Sequence, residues 1–139
     1  MSGELATETR TLLGYGPQGD HDPNGPFSPA QLTRLDEALT LSSAESGIPF
    51  SVYIGELAVP TRAGAEKLFS KLSDDAVLIA VSPSQRSLHI VTGAKSSQRL
   101  PNRACALAAL TIRASLTQGD IVGGLVNGLR QLSDAAGTV

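Results

Sequence analysis

The sequence predicts an α/β domain, a small mixed sheet with helices on both faces. Three observations carry this. The apolar run Ala76-Val77-Leu78-Ile79-Ala80-Val81 is short and rich in β-branched residues, as a strand buried on both faces should be. The turn Ser82-Pro83-Ser84-Gln85 then leads straight into Ser87–Thr92, so the two strands must be antiparallel. Segments of helical period lie before, between and after the strands, giving the order αβαβ-βαα.

Met1–Pro26 (residues 1–26) is interrupted by Gly14, Gly16, Pro17, Gly19, Pro23 and Pro26 and reads as a flexible leader. Its Asp20-His21-Asp22 reads as a solvated polar run. The ordered domain, residues 27–139, is expected to begin at Phe27. Ser28 can cap a helix, Pro29 suits the first helical position and Gln31 completes a capping box. Phe27 and Leu32 are placed for a hydrophobic staple, and Leu32, Leu35 and Leu39 recur at helical spacing. Gly47 and Pro49 should stop this helix.

Phe50–Ile54 reads as a strand and about Arg62–Leu72 as a second helix, with a loop holding Pro60 between them. Strand, helix, strand should form a right-handed parallel unit. After the hairpin, Ala104–Leu116 is apolar nearly all round and predicts a deeply packed helix. Gly119 ends it, and Asp120 can cap a last helix with Ile121, Val122, Leu125, Val126, Leu129 and Leu132 on one broad face. Gly123, Gly124 and Gly128 interrupt that helix, each at a cost of roughly 1 kcal/mol relative to Ala. Close approach of another element would compensate, either inside the fold or in a homodimer formed through this helix.

Composition narrows the function classes. The chain has 139 residues, one domain's worth. Aromatics are 4% with no Trp, and the formal net charge is −2, so neither base stacking nor a basic surface points to nucleic acid. A lone Cys105 excludes an internal disulfide and a multi-thiolate zinc site. No segment is apolar for the roughly 18 residues that a membrane helix needs, so no membrane insertion is expected. Met1–Gly19 lacks a basic region followed by an apolar run, which leaves a cytoplasmic location as the expectation.

The hairpin brings distant residues together. Asp74 and Asp75, before its first strand, should lie near Gly93, Lys95 and Arg99, after its second. Asn102 and Arg103 complete this candidate ligand edge. Paired carboxylates there could hold calcium or magnesium, and the alternative is a surface cluster of salt bridges, each worth about 0–1 kcal/mol. Thr92-Gly93-Ala94-Lys95-Ser96-Ser97 lacks the first glycine of a phosphate loop, and no helix is expected directly after its serines. A Ser–Lys nucleophile pair from Ser96 or Ser97 with Lys95 is chemically open. His89 should sit on the wetter side of the sheet, and Cys105 should be a small buried apolar residue.

Taken in order, these segments resemble the TPM domain family, and more closely its uncharacterised actinobacterial relatives. The resemblance runs from Phe27 to Gly137 and rests on Ser28-Pro29-Ala30-Gln31-Leu32 with Leu35, on Asp74-Asp75 leading into Ala76–Val81, on Leu88–Gly93, and on Gly119-Asp120 with Gly124-Leu125. It implies an α/β/α sandwich, divalent-cation binding in some members and acid phosphatase activity in plant relatives. By that resemblance a metal would fall to Asp74, Asp75 and Asp120. The family commonly follows its Thr-Gly with an aromatic, a second glycine and an acidic residue, where this chain has Ala94–Arg99. Asn102 stands where an aspartate is usual. The expectation is therefore a binding or scaffolding module with an unknown protein partner, no catalytic residue and no cofactor. The alternative is a metal-dependent acid phosphatase.

Overall fold

The computed structural model describes residues 10–14 and 27–138. They form a four-stranded sheet in the order β1-β2-β3-β4 and five helices. The strands are β1 (Arg10–Gly14), β2 (Phe50–Gly55), β3 (Val77–Ser82) and β4 (Ser87–Thr92). The helices are α1 (Pro29–Ser46), α2 (Thr61–Phe69), α3 (Ser96–Arg99), α4 (Asn102–Leu116) and α5 (Ile121–Ala136). The first three strands are parallel neighbours, and β4 returns antiparallel beside β3 with Val77 opposite Thr92 and Ser82 opposite Ser87.

Strand β1 corrects the reading of residues 1–26 as a flexible leader throughout. Its five residues pair with β2 from Arg10 opposite Ser51 to Gly14 opposite Gly55. The run is short and followed closely by glycines and prolines, so periodicity did not reveal it. The other residues of that stretch, including Asp20-His21-Asp22, lie outside the described residues.

The expected start of α1 is present in full. The Gln31 N–H donates to Ser28 Oγ at 3.1 Å, and the Ser28 N–H donates to Gln31 Oε1 at 2.8 Å. Gly47, in a left-handed conformation (φ 76°), ends the helix.

Alternation along β3 explains its unbroken apolar run. Val77, Ile79 and Val81 pack with α1, α4 and α5 against Leu35, Leu39, Ile112, Leu125, Leu129 and Leu132. Leu78 and Ala80 turn to the other face and meet Ala65, Leu68 and Phe69 of α2. Helices therefore cover both faces of the sheet.

Two helix expectations change. Helix α4 is not deeply packed: only Ala108 and Ile112 are buried, while Leu107 and Leu110 are 47% and 61% exposed. The glycines of α5 face inward. A Cβ on Gly128 would stand 2.6 Å from Ile112 Cδ1, and one on Gly124 would stand 2.8 Å from Ser115 Cβ. The glycine face that sequence offered for a homodimer is thus filled by α4.

A side chain that periodicity does not flag ties the hairpin turn to the β2–α2 loop. Gln85 Oε1 accepts the Leu57 N–H at 2.8 Å, and Gln85 Nε2 donates to the Leu57 carbonyl at 2.9 Å. Ser82 Oγ donates to the same Oε1. Gln85→Ala is expected to cost about 2 kcal/mol, since each such bond contributes roughly 0.5–1.5 kcal/mol net. A urea melt measures the loss, and an unchanged midpoint would contradict this role.

Candidate functional site

At the open end of the β3–β4 hairpin the structure brings Asp74 and Lys95 together, through their backbones. The Asp74 carbonyl accepts the Lys95 N–H at 3.0 Å and the Ser96 N–H at 3.1 Å. Asp75 accepts from Ser73 Oγ. Among the described residues no ion pair joins Asp74, Asp75, Lys95, Arg99 or Arg103 to one another. Asn102 and Arg103 occupy the exposed first turn of α4.

Arg99 turns away from the acidic pair. Its guanidinium donates to the Ser46 carbonyl at 2.6 Å, to the Ala136 carbonyl at 3.1 Å and to the Gly137 carbonyl at 3.2 Å. These carbonyls sit at the C-terminal ends of α1 and α5, where a cation is favourable. Arg99 is a fold clamp.

Contrary to expectation, a one-turn helix, α3, follows Lys95. It begins at Ser96, whose hydroxyl is committed to the fold. Ser96 Oγ donates to the Ala76 carbonyl at 2.7 Å and accepts the Gly93 N–H at 2.8 Å, and the residue is buried. Ser97 Oγ donates to the Ala94 carbonyl at 3.2 Å. Neither hydroxyl bonds to Lys95.

The metal set is also divided. Asp120 caps α5, its Oδ1 accepting the Gly123 N–H at 2.9 Å. Its neighbours Gly119 and Ile121 line a groove with Ser82 and Arg86, at the closed end of the hairpin. Asp74 and Asp75 precede the opposite end, a six-residue strand away, or roughly 20 Å at the usual rise per residue. Among the described residues no three His, Cys, Asp or Glu side chains are grouped to hold a metal ion.

Two other residues raised by sequence have structural surroundings. His89 Nε2 hydrogen-bonds with Thr61 Oγ1 at 2.9 Å, and burial, then repulsion by Arg62 and Arg113, lowers its pKa. Arg62 lies along β4, donating to the Ile90 carbonyl at 3.3 Å and to Glu66 Oε2 at 3.1 Å. Half-buried Cys105 has its pKa raised by burial, which favours the thiol over the nucleophilic thiolate.

Sequence reasoning missed the closed end. There a groove of about 670 Å³ lies between the hairpin turn and the α4–α5 junction, lined by Arg86, Arg113, Leu88, Leu116 and Ile121 among others. Parallel sheets commonly bind ligands beyond the carboxyl ends of their strands, and Ser82 at this end is the carboxyl end of β3. That rule was the available signal.

Comparison with known proteins is consistent with this fold. Residues 2–133 match a family model described as a domain of unknown function, DUF5130. Uncharacterised proteins from two Mycobacterium tuberculosis strains, CDC 1551 and H37Rv, are 34% identical over 133 residues, covering 94% of this chain and 80% of theirs. Among solved structures, the N-terminal domain of a P. gingivalis protein is similar, with a TM-score of 0.70 at 17% identity over 96% of this chain and 82% of that one. The N-terminal domain of a Corynebacterium glutamicum protein gives 0.66 at 13% identity over 93% and 80%. The BA42 protein of Bizionia argentinensis gives 0.66 at 18% over 78% and 80%. At these identities the structural likeness speaks for the fold alone. No helix among the described residues is long and apolar enough to cross a membrane.

Proposed function

We propose that this chain, which belongs to the DUF5130 family of domains of unknown function, is a protein-binding module that docks its partner on the outward face of α4. The observation that carries this reading is the exposure of Leu107 and Leu110, at 47% and 61%. Spaced three residues apart, they are neighbours on the helix surface. Ala106 and Ala114, both exposed, extend the patch along α4. Fully burying a leucine is worth about 1.5–3 kcal/mol, and much of that gain is still open here. Arg103 and Arg113 lie on the same exposed half of the helix, and α4 carries no acidic residue. The partner surface that fits is apolar with acidic flanks.

Ser96 and Arg99 at the open end of the hairpin, and Asp120 at the closed end, spend their side chains on the backbone, which supports binding over catalysis. Kinship with TPM domains, carried by the order of the motifs from Ser28 to Leu125, belongs to the same proposal, as does a cytoplasmic setting.

The test is affinity capture from source-cell lysate with the full chain, beside Leu107→Glu/Leu110→Glu. A captured protein should bind the purified wild type directly and the double variant about tenfold more weakly, a loss of ~1.4 kcal/mol. The substituted residues are exposed, so the melting temperature should hold. Equal binding by the two forms refutes the proposal. So does a wild-type dimer in light scattering that the double variant dissolves, since the face would then serve self-association.

A further inference from the structure

We propose that the groove at the closed end of the hairpin binds a small aliphatic monocarboxylate. Its volume of about 670 Å³ lies within the usual range for small-molecule sites, roughly 300–1,000 Å³. Two guanidiniums, Arg86 from the turn and Arg113 from α4, line it, and no acidic residue does. Neither has a carboxylate partner among the described residues. A guanidinium meets a carboxylate through two parallel hydrogen bonds, so this pair suits a carboxylate head.

The rest of the lining selects the body. Leu88, Leu116 and Ile121 are aliphatic, and no aromatic side chain lines the groove to stack on a base or ring. Asp120 stands beside the wall between Gly119 and Ile121. The Asp120 carboxylate is turned to the Gly123 N–H, so the lining itself presents two guanidiniums, which can close on one carboxylate head from two sides. Asp120 thereby occupies the Gly123 N–H at the start of α5, a donor that a phosphate would otherwise use.

Arg86 adds an independent sign. It sits in the left-handed region (φ 52°), with its N–H donating to the Pro83 carbonyl at 3.1 Å. Gly or Asn would occupy that position at less cost. The arginine there places a cation at the groove.

Octanoate titrated into the full chain and followed by amide NMR tests the proposal. Saturable shifts are expected at Leu88, Leu116 and Ile121. Arg86→Gln and Arg113→Gln should each weaken binding about tenfold, ~1.4 kcal/mol. Both arginines are exposed, so the melting temperature should be kept. Arg113→Lys, which keeps the charge but loses the fork, should weaken binding less than Arg113→Gln. Octylamine should give no such shifts. Absence of saturable octanoate shifts overturns the proposal, as does equal binding by both glutamine variants or by octylamine. Tighter binding of octyl phosphate than of octanoate would overturn the carboxylate assignment.

Discussion

Gly93→Ala is expected to destabilise the protein by about 3 kcal/mol, at the upper end of the usual cost of overpacking. A Cβ at Gly93 would overlap the Asp74 carbonyl oxygen and stand 2.7 Å from Asp74 Cα. Both neighbours are backbone, so no rotamer change relieves the overlap. The same Asp74 carbonyl accepts the Lys95 and Ser96 N–H groups, and moving it would loosen the entry to α3. A urea melt with an unchanged slope reads this directly. A midpoint equal to that of the wild type would show that the turn yields freely. The Thr-Gly at the end of β4 is on this account a packing requirement.

Arg99→Met should cost about 3 kcal/mol. It keeps the aliphatic stem and removes the hydrogen bonds to Ser46, Ala136 and Gly137. Bonds to a charged group are worth about 1.5–3 kcal/mol each, though not additively. The ends of α1 and α5 should fray together, visible as faster amide exchange around Gly47 and Gly137. Arg99→Lys keeps the charge but not the fork, and should retain part of the stability. Exchange that rises at neither helix end in Arg99→Met would contradict the clamp.

These two cases mark what was legible in the sequence. Local chemistry was: the Ser28–Gln31 box, the Gly47 stop and the β3–β4 register follow from neighbouring residues. Antiparallel geometry also brought Asp74 beside Lys95. The aim of Arg99 was not legible, because its acceptors Ser46 and Ala136 lie 53 and 37 residues away. Nothing in a one-turn helix tells which way its arginine leans. The exposure of α4 was hidden for a different reason. An Ala- and Leu-rich helix has weak periodicity, so its apolar residues do not reveal how many find a neighbour. Strand β1 was masked by the glycines and prolines that follow it. The closed-end groove depends on Arg113 meeting a turn 27 residues upstream in sequence, by the difference of Arg113 and Arg86.

The contact between Arg62 and the Ile90 carbonyl reaches beyond the single molecule. Among the described residues β4 is an outer strand, and its outward peptide groups are a template on which another chain could add a strand. Arg62, braced by Glu66, lays a charged side chain across that template and satisfies one of its acceptors. A polypeptide approaching this border must first displace the guanidinium. One surface cation thus stands in the way of edge-to-edge pairing at Ile90.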